Sequence, residues 1–165
     1  MLDPLLAWLP THNRLERLVQ GPKLFLDDPA RACRLLHVSA SQLLAGSQGD
    51  KSDLRPGTLL GALFEHLATL CVRVAAQAAG AEIFHIRTYG GNHEVDMIVQ
   101  ADDGPVLLIE VKLARIVVDV DVRHILWLRE RLGDDCLDGM VITSGEYAYR
   151  RQDGVVVVPL GLLGK

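Results

Sequence analysis

Two apolar runs joined by a short acidic turn constrain the fold more than any other stretch of this sequence. The runs are HEVDMIVQ (93–100) and PVLLIEVKL (105–113), and only the residues ADDG separate them. A third run, EIFHIRTY (82–89), precedes them behind a GGN turn. Runs of this length that are rich in Val and Ile are typical of strands, and short connections favour antiparallel pairing. The sequence therefore predicts a three-stranded antiparallel meander.

The register of the second hairpin decides which charged side chains meet. A three-residue loop with Gly104 in the left-handed conformation sets Asp96 opposite Glu110, and Glu94 opposite Lys112 on the same face. A two-residue turn would shift the register by one residue and separate these charges onto opposite faces. We favour the first register, because the other face of the third strand is then wholly apolar and suits a core.

In this register the Asp96 and Glu110 carboxylates repel each other unless a proton or a cation lies between them. Their Cβ atoms would be about 5 Å apart, and like charges this close disfavour ionisation. Mg²⁺ suits such oxygen ligands and typically takes only one or two protein carboxylates beside waters and phosphate oxygens. Lys112 could stabilise phosphate charge or position an attacking water, as metal-assisted phosphodiester hydrolysis requires. An ordinary alternative remains, in which Glu94 and Lys112 form a surface ion pair.

Helices are predicted on both sides of the meander. One covers TLLGALFEHLATLCVRVAAQAAG (58–80) and ends at Gly80, and a second covers 118–133, with Asp119 or Asp121 as its cap. A strand from Asp138 and a hairpin near VVVVP follow. The apolar stripe of the first helix comprises Leu60, Leu63, Phe64, Leu67, Cys71, Val74 and Ala78.

The chain divides at a polar, turn-rich stretch, AGSQGDKSDLRPG (45–57). Residues 1–57 are predicted to be an N-terminal segment and linker that pack on a core formed by 58–165, as one folding unit. In the N-terminal segment, Asp28 and Pro29 predict a helix start, and LVQGPKLFL predicts an edge strand. The fold class is α/β, more specifically α+β.

Composition excludes several broad classes of protein. Lys and Arg total 17 against 21 Asp and Glu, a net charge of −4, so there is no overall electrostatic footprint for nucleic acid. The three cysteines have no metal-ligand or CxxC spacing, which favours a reducing, cytoplasmic setting. No P-loop motif occurs, so the chain is not expected to be an ATPase by itself. We also expect no secretory signal and no membrane span.

Several motifs in order resemble a known family. PKLFLDDPARACRLL, GALFEHLATL, EVDMIV, LLIEVK and DGMVITSGEYAYRRQDGVVVVPL are similar to the domain of unknown function at the C-terminus of prokaryotic AAA-type ATPases. Asp96 followed by Glu110-Val111-Lys112 also resembles the PD-(D/E)xK nuclease motif, although Val95 stands where that motif has Pro. The resemblance implies a restriction-endonuclease-like core of helix, three-strand meander, helix and strand, with a small, mostly helical N-terminal segment. Family members ordinarily carry a P-loop domain upstream, and this sequence contains none.

The resemblance implies roles for four residues. Asp96 and Glu110 would be metal ligands for Mg²⁺ or Mn²⁺, Lys112 the catalytic lysine, and Glu65 the helix acid that completes some nuclease sites. The helical pattern disagrees in part, because Glu65 lies about 140° from the centre of the apolar stripe, beside His66. By pattern alone, Glu65 is an exposed residue that leans at most toward the sheet edge.

Three functional hypotheses follow from these patterns. The first is a metal-dependent nuclease acting on DNA or RNA. The second is a non-catalytic module that docks on nucleic acid or on an ATPase subunit in trans, with a relic acidic site. The third is a domain separated from its ATPase half, which would self-associate through apolar residues such as the N-terminal LLAWL. A basic rim for phosphate would come from Arg129, Arg131, Arg150 and Arg151.

Overall fold

The computed structural model describes residues 1–9, 21–45, 56–88, 91–102 and 104–163, and these residues form eight strands and four α-helices. Most of the predicted polar linker and Asp103 of the predicted loop lie outside the described residues. The strands are β1 (Leu2–Leu5), β2 (Lys23–Leu26), β3 (Glu82–Arg87), β4 (Glu94–Gln100), β5 (Val106–Lys112), β6 (Cys136–Thr143), β7 (Tyr149–Arg150) and β8 (Val156–Pro159). The helices are α1 (Pro29–Leu35), α2 (Ala40–Ala45), α3 (Pro56–Ala78) and α4 (Asp119–Leu132).

A six-stranded mixed sheet organises the fold, with the strand order β3-β4-β5-β6-β8-β7. The first three strands form the antiparallel meander that the sequence predicts. The chain then crosses over through α4, so that β6 lies parallel to β5, as a helical connection permits. Strands β7 and β8 form the C-terminal hairpin, with β8 parallel to β6. The protein is therefore a mixed α+β fold.

The predicted register between β4 and β5 is confirmed over four residue pairs. Met97 faces Ile109 and Gln100 faces Val106, and the amide of Gly104 donates to the carbonyl of Ala101 at 2.8 Å to close the turn. The conformation within the turn was predicted wrongly. The residue with positive φ is Asp102, at 46°, and not Gly104. Asp tolerates this conformation better than most residues, because its short side chain can bond the local backbone.

Two hydrophobic layers cover the sheet. On one face, Val122, Ile125 and Leu128 of α4 pack against the sheet, in a cluster that also includes Trp8. On the opposite face, α3 packs through small residues, in a cluster that also includes Leu5. Strand β5 lies in the interior of the sheet, between β4 and β6, and contributes to both clusters. The candidate site residues at its C-terminal end are therefore held by packing on both sides.

The predicted helix α3 exists, but the sequence-based assignment of its buried face was wrong. Leu67 is 43% exposed and Val74 is 67% exposed, whereas Ala68, Ala76 and Thr69 are buried. The small residues allow the helix to lie close to the sheet, and Leu67 and Val74 are left outside, although Val72 is buried. His66, predicted to be polar and exposed, is also buried and stacks on Phe25 with ring centroids 5.2 Å apart.

The same helix corrects the expectation that no stretch could span a membrane. Leu59–Ala78 is long and apolar enough by length and composition alone, with a mean hydropathy of 1.5, and 28% of that window is buried. Core helices of soluble proteins pass the same test, so the finding does not by itself indicate a membrane protein.

Helix α4 ends at Gly133 as predicted, but the prediction that Asp119 or Asp121 is its N-cap was wrong. Its N-cap is Val118, whose amide donates to Asp121 Oδ2 at 2.9 Å, so Asp121 supports the first turn from inside the helix. Gly133, with a φ of 55°, ends the helix in a conformation that favours glycine.

A β-bulge in β4 changes the direction of the side chains at the candidate site. Ile98 pairs with Phe84, but Val95 pairs with Ile86, so β4 contains one extra residue relative to β3. Val95 and Ile98 both pack in the cluster beside α4, which strict alternation would forbid for residues three apart. The bulge at Asp96 and Met97 accounts for this, and bulges commonly re-aim side chains near functional sites.

The N-terminal segment contains helices α1 and α2, and also a two-stranded hairpin. Strands β1 and β2 pair antiparallel, with Leu5 opposite Lys23. We call these two strands the N-terminal hairpin. Just after β1, the Trp8 amide donates to the His85 carbonyl at 2.6 Å, and the Trp8 indole donates to Gln100 Oε1 at 2.9 Å. The hairpin is thereby fixed beside the β3 edge of the sheet.

The sequence did not predict β1, because Pro4 argues against a strand. At the edge of a two-stranded ribbon the missing amide is tolerated. The start of α1 was predicted correctly, since Asp28 Oδ1 accepts from the Ala30 amide at 2.7 Å and Pro29 is the first helical residue. The division of the chain at residue 57 stays a prediction.

Candidate active site

Asp96 lies at the point where β4 and β5 separate. Its Oδ2 accepts a hydrogen bond from the backbone amide of Val111 at 2.9 Å, and its side chain is only 12% exposed. The backbone pairing between β4 and β5 ends at Met97 and Ile109, next to the bulge. Beyond this pair, the Asp96 carboxylate replaces a backbone carbonyl of β4 as the acceptor for the Val111 amide of β5. Asp96 is therefore both a structural acceptor and a charge directed at the end of β5.

Glu110 is buried in the sheet beside Lys112. Its exposed fraction is 4%, and the Lys112 ammonium lies 2.7 Å from Oε1. The second oxygen, Oε2, has no hydrogen-bond partner among the described residues. Burial and then the nearby Asp96 carboxylate raise the pKa of Glu110 from 4.5 to about 7, against the opposing effect of Lys112. A buried carboxylate with one unused oxygen is poised to hold a proton or a cation.

A second lysine, Lys23 of the N-terminal hairpin, joins three carboxylates. Its ammonium lies 2.8 Å from Glu94 Oε1, 3.1 Å from Glu65 Oε1 and 3.3 Å from Asp96 Oδ1. Its side chain is only 20% exposed. The contacts join β2, α3 and β4, so this one ammonium links three elements that are distant in sequence. We call Lys23, Glu65, Glu94 and Asp96 the Lys23 cluster.

The pKa values of the Lys23 cluster reflect this crowding. Burial acts to lower the pKa of Lys23, but Asp96, Glu65 and Glu94 outweigh it and raise that pKa above 10.5. Burial and the charge of Asp96 raise the pKa of the Glu65 carboxyl, although Lys23 opposes them. Burial also acts against ionised Glu94, yet its contact with Lys23 lowers the pKa overall. Lys23 therefore favours the ionised form of Glu94 and limits the rise in the pKa of Glu65.

The predicted site residues are thus brought to one region, with different partners from those expected. Glu65 faces the site and is not simply exposed, because α3 buries the face opposite to the one predicted. Glu94 contacts Lys23 and, at 3.6 Å, Arg87, so the expected pairing of Glu94 with Lys112 was wrong. Lys112 pairs with Glu110 instead.

Within the part of the chain that the structure describes, no group of three or more His, Cys, Asp or Glu side chains is arranged to hold a metal ion. A metal site would depend on the two carboxylates of Asp96 and Glu110. The orphaned Oε2 of Glu110 fits such a role, and two protein carboxylates are a usual number for Mg²⁺. Asp96 fits less freely, since both of its oxygens already accept hydrogen bonds.

An aromatic layer lies beside the site and was not predicted. The ring of His93 stacks on Trp127 with centroids 3.9 Å apart and planes 7° apart, and Arg131 lies 4.3 Å from the Trp127 ring centroid. Arg123 donates to His124 Nε2 at 3.0 Å, so neutral His124 carries its proton on Nδ1 and donates it to His93 Nδ1 at 3.3 Å. These contacts hold His93, the residue that precedes β4, against α4.

The arginines considered for a basic rim are engaged within the molecule. Arg151 contacts Asp119 at 2.6 Å and Asp153 at 3.0 Å, and Arg150 contacts Asp138 at 2.8 Å. Arg129 donates to the carbonyl of Asp153. These contacts fasten the β7–β8 hairpin to α4 and β6, so phosphate would have to compete with existing partners.

Lys23 is the site residue that sequence reasoning missed. It is separated from Glu65 by 42 residues and from Asp96 by 73, and no local pattern in KLFL indicates a partner. A signal was nevertheless present in the composition. The chain contains few lysines, and two of them, Lys23 and Lys112, lie in predicted strands, where a charged side chain is unusual.

A protein family matches the part of the chain that contains most of this site. The family model described as a domain of unknown function, DUF4143, matches residues 60–163, which is more than half of the chain. The chain belongs to the DUF4143 family. The match includes α3, the whole sheet and α4, and therefore Glu65, Asp96, Glu110 and Lys112, but it does not include Lys23. No curated protein matches the sequence.

Proposed function

We propose that this DUF4143 domain is a metal-dependent phosphodiesterase that cleaves DNA or RNA, with a restriction-endonuclease-like core. The observation that carries the proposal is the buried Glu110, whose Oε2 is orphaned and whose other oxygen is held by Lys112, with the charge of Asp96 nearby. A purely structural ion pair would not need an unused buried oxygen, which costs free energy in a folded protein.

Each residue has a role that its contacts support. Asp96 and Glu110 would hold Mg²⁺ or Mn²⁺, and such an ion polarises a phosphoryl oxygen and lowers the pKa of bound water. Lys112, whose side chain is 32% exposed, is accessible enough to contact a phosphate oxygen while Glu110 fixes its position. The Val111 amide keeps Asp96 aligned with the end of β5. Glu65 orients Lys23 and adds negative charge.

The proposal is tested by nuclease assays on single- and double-stranded DNA and RNA with Mg²⁺ and Mn²⁺. Asp96→Asn and Lys112→Met should each abolish cleavage while the circular dichroism spectrum is unchanged. Asp138→Asn is a matched control, because it also removes a carboxylate that contacts a cation, but on β6 and facing Arg150. Equal cleavage by wild type, Asp96→Asn and Lys112→Met would contradict the proposal.

A second candidate function is supported by a different observation. Each carboxylate of the site already contacts Lys23 or Lys112, so none of them lacks a cationic partner when no metal is bound. This favours a non-catalytic module that docks on nucleic acid or on an ATPase subunit in trans. Thermal unfolding distinguishes the two, because a ligand that binds only the folded state raises the melting temperature. Stabilisation by Mn²⁺ that is lost in Asp96→Asn supports the nuclease, and no stabilisation supports the docking module.

A further inference from the structure

The strongest feature that the proposed function does not use is Lys23. Its ammonium makes three contacts with carboxylates, and one of them, Asp96, is also a proposed metal ligand. The outer oxygen of Asp96, Oδ1, is bound by Lys23, while Oδ2 is bound by the Val111 amide. Each oxygen keeps a second lone pair, but a metal ion bound to Asp96 would lie close to the Lys23 ammonium, which is 3.3 Å from Oδ1. The two positive charges would repel each other unless the ammonium moved away.

The backbone bond is the harder of the two to break. The Val111 amide belongs to β5, an interior strand of the main sheet, and an unpaired buried amide is costly. Lys23 belongs to β2, which pairs with β1 in a separate two-stranded sheet. The next residue in β2, Leu24, is 59% exposed. The bond to Lys23 is thus the one that can be released without opening the main sheet.

We propose that Lys23 is a tethered cation that blocks the metal site, so that a divalent ion binds only when the ammonium leaves Asp96. This inference rests on the proposed function, because it requires Asp96 to bind metal. The N-terminal hairpin then acts as an autoinhibitory element. Strand β1 stays fixed beside β3 through Trp8, and only the β2 end of the hairpin has to move.

The first experiment measures Mn²⁺ affinity by isothermal titration calorimetry for wild type and Lys23→Met. A blocked site binds with an affinity reduced by the fraction of open molecules, so Lys23→Met should bind Mn²⁺ at least about tenfold more tightly. Arg31→Met is the matched control. It removes one positive charge that contacts Asp27 from the same part of the chain, without touching the site, and should leave the affinity unchanged.

The outcomes separate this inference from the proposed function. If wild type binds Mn²⁺ and Asp96→Asn does not, but Lys23→Met binds no more tightly than wild type, metal binding stands and the blocking role is refuted. If neither wild type nor Lys23→Met binds Mn²⁺, both proposals fail. A tighter Lys23→Met that loses binding on adding Asp96→Asn supports both.

A second measurement uses wild type alone, in case Lys23→Met fails to fold. Reductive dimethylation of amines, read by peptide mass spectrometry, reports how accessible Lys23 is with and without millimolar Mg²⁺. Displacement by metal should increase the modification of Lys23 relative to the N-terminal amine, which is exposed and pairs with Asp27 at the opposite end of the N-terminal hairpin. A metal-stabilised protein in which Lys23 reacts no faster would overturn the inference.

Discussion

Replacing Glu110 by Gln should stabilise the metal-free protein, and the size of the effect should depend on pH. The pKa of Glu110 is raised from 4.5 to about 7 in the fold. Between these values the folded protein keeps a proton that the unfolded chain has released. Stability therefore falls as the pH rises through this window, and the loss is complete above about pH 7. The amide of Gln resembles the protonated carboxyl and avoids the loss.

The magnitude follows from the same pKa values. A rise from 4.5 to about 7 corresponds to about 3 kcal/mol of unfolding free energy. Glu110 is only 4% exposed, so solvent screening reduces this little. For a chain of this length, about 3 kcal/mol corresponds to roughly 6 to 12 °C in melting temperature. Glu110→Gln should therefore exceed wild type by that amount at about pH 8, by only about 1 kcal/mol at about pH 5, and nearly equal it at about pH 4.

The assay is urea unfolding in EDTA, followed by circular dichroism at several pH values. Asp138→Asn is the control with the opposite sign, because its contact with Arg150 lowers the pKa of Asp138. That carboxylate stabilises the fold above its usual pKa, and the contribution is lost as the pH falls. Because the arginine partner of Asp138 is largely exposed, removal of this carboxylate should cost less than about 1 kcal/mol. A stability difference between Glu110→Gln and wild type that does not change with pH would refute the reasoning.

Two further predictions concern the packing that holds the site. Gly139→Ala should destabilise the fold by about 1–3 kcal/mol in urea unfolding, because the added Cβ would lie 2.4 Å from Ile125 Cγ2. Ile125→Ala should lower the free energy of unfolding less in the Gly139→Ala variant than in wild type, because it relieves the clash. Equal losses in the two proteins would show that the added methyl group and Ile125 do not clash. Trp8→Phe should cost about 1 kcal/mol by removing the hydrogen bond to Gln100, and hydrogen exchange of the β3 amides should then rise. Unchanged exchange would mean that Trp8 does not fasten the N-terminal segment to the sheet.

Local patterns in the sequence predicted the central hairpin well. The length of the turn and the apolar face of β5 together allow only one register that buries that face, and the structure has that register. The end of α4 at Gly133 and the start of α1 at Asp28 were predicted for the same reason. Each depends on residues only a few positions apart.

The features that could not be predicted depend on packing between distant segments. Helix α3 presents two faces, and hydrophobicity alone selected the one with Leu67 and Val74. The sheet instead accepts the face with Ala68 and Ala76, because small side chains permit a close approach. The bulge at Asp96 likewise depends on pairing with β3, and the contact with Lys23 depends on where the N-terminal hairpin docks.

The balance of charge at the site connects its stability with its proposed chemistry. Four carboxylates, of Glu65, Glu94, Asp96 and Glu110, meet three cations, of Lys23, Lys112 and Arg87. When all are ionised, the carboxylates are in excess by one charge, which favours the binding of a further cation. Removing Lys23 increases this excess, so Lys23→Met should weaken the metal-free fold and strengthen metal binding at once. General loosening of the hairpin would weaken the fold without that gain in affinity, so the pair of opposite effects identifies Lys23 as the occupant of a cation site.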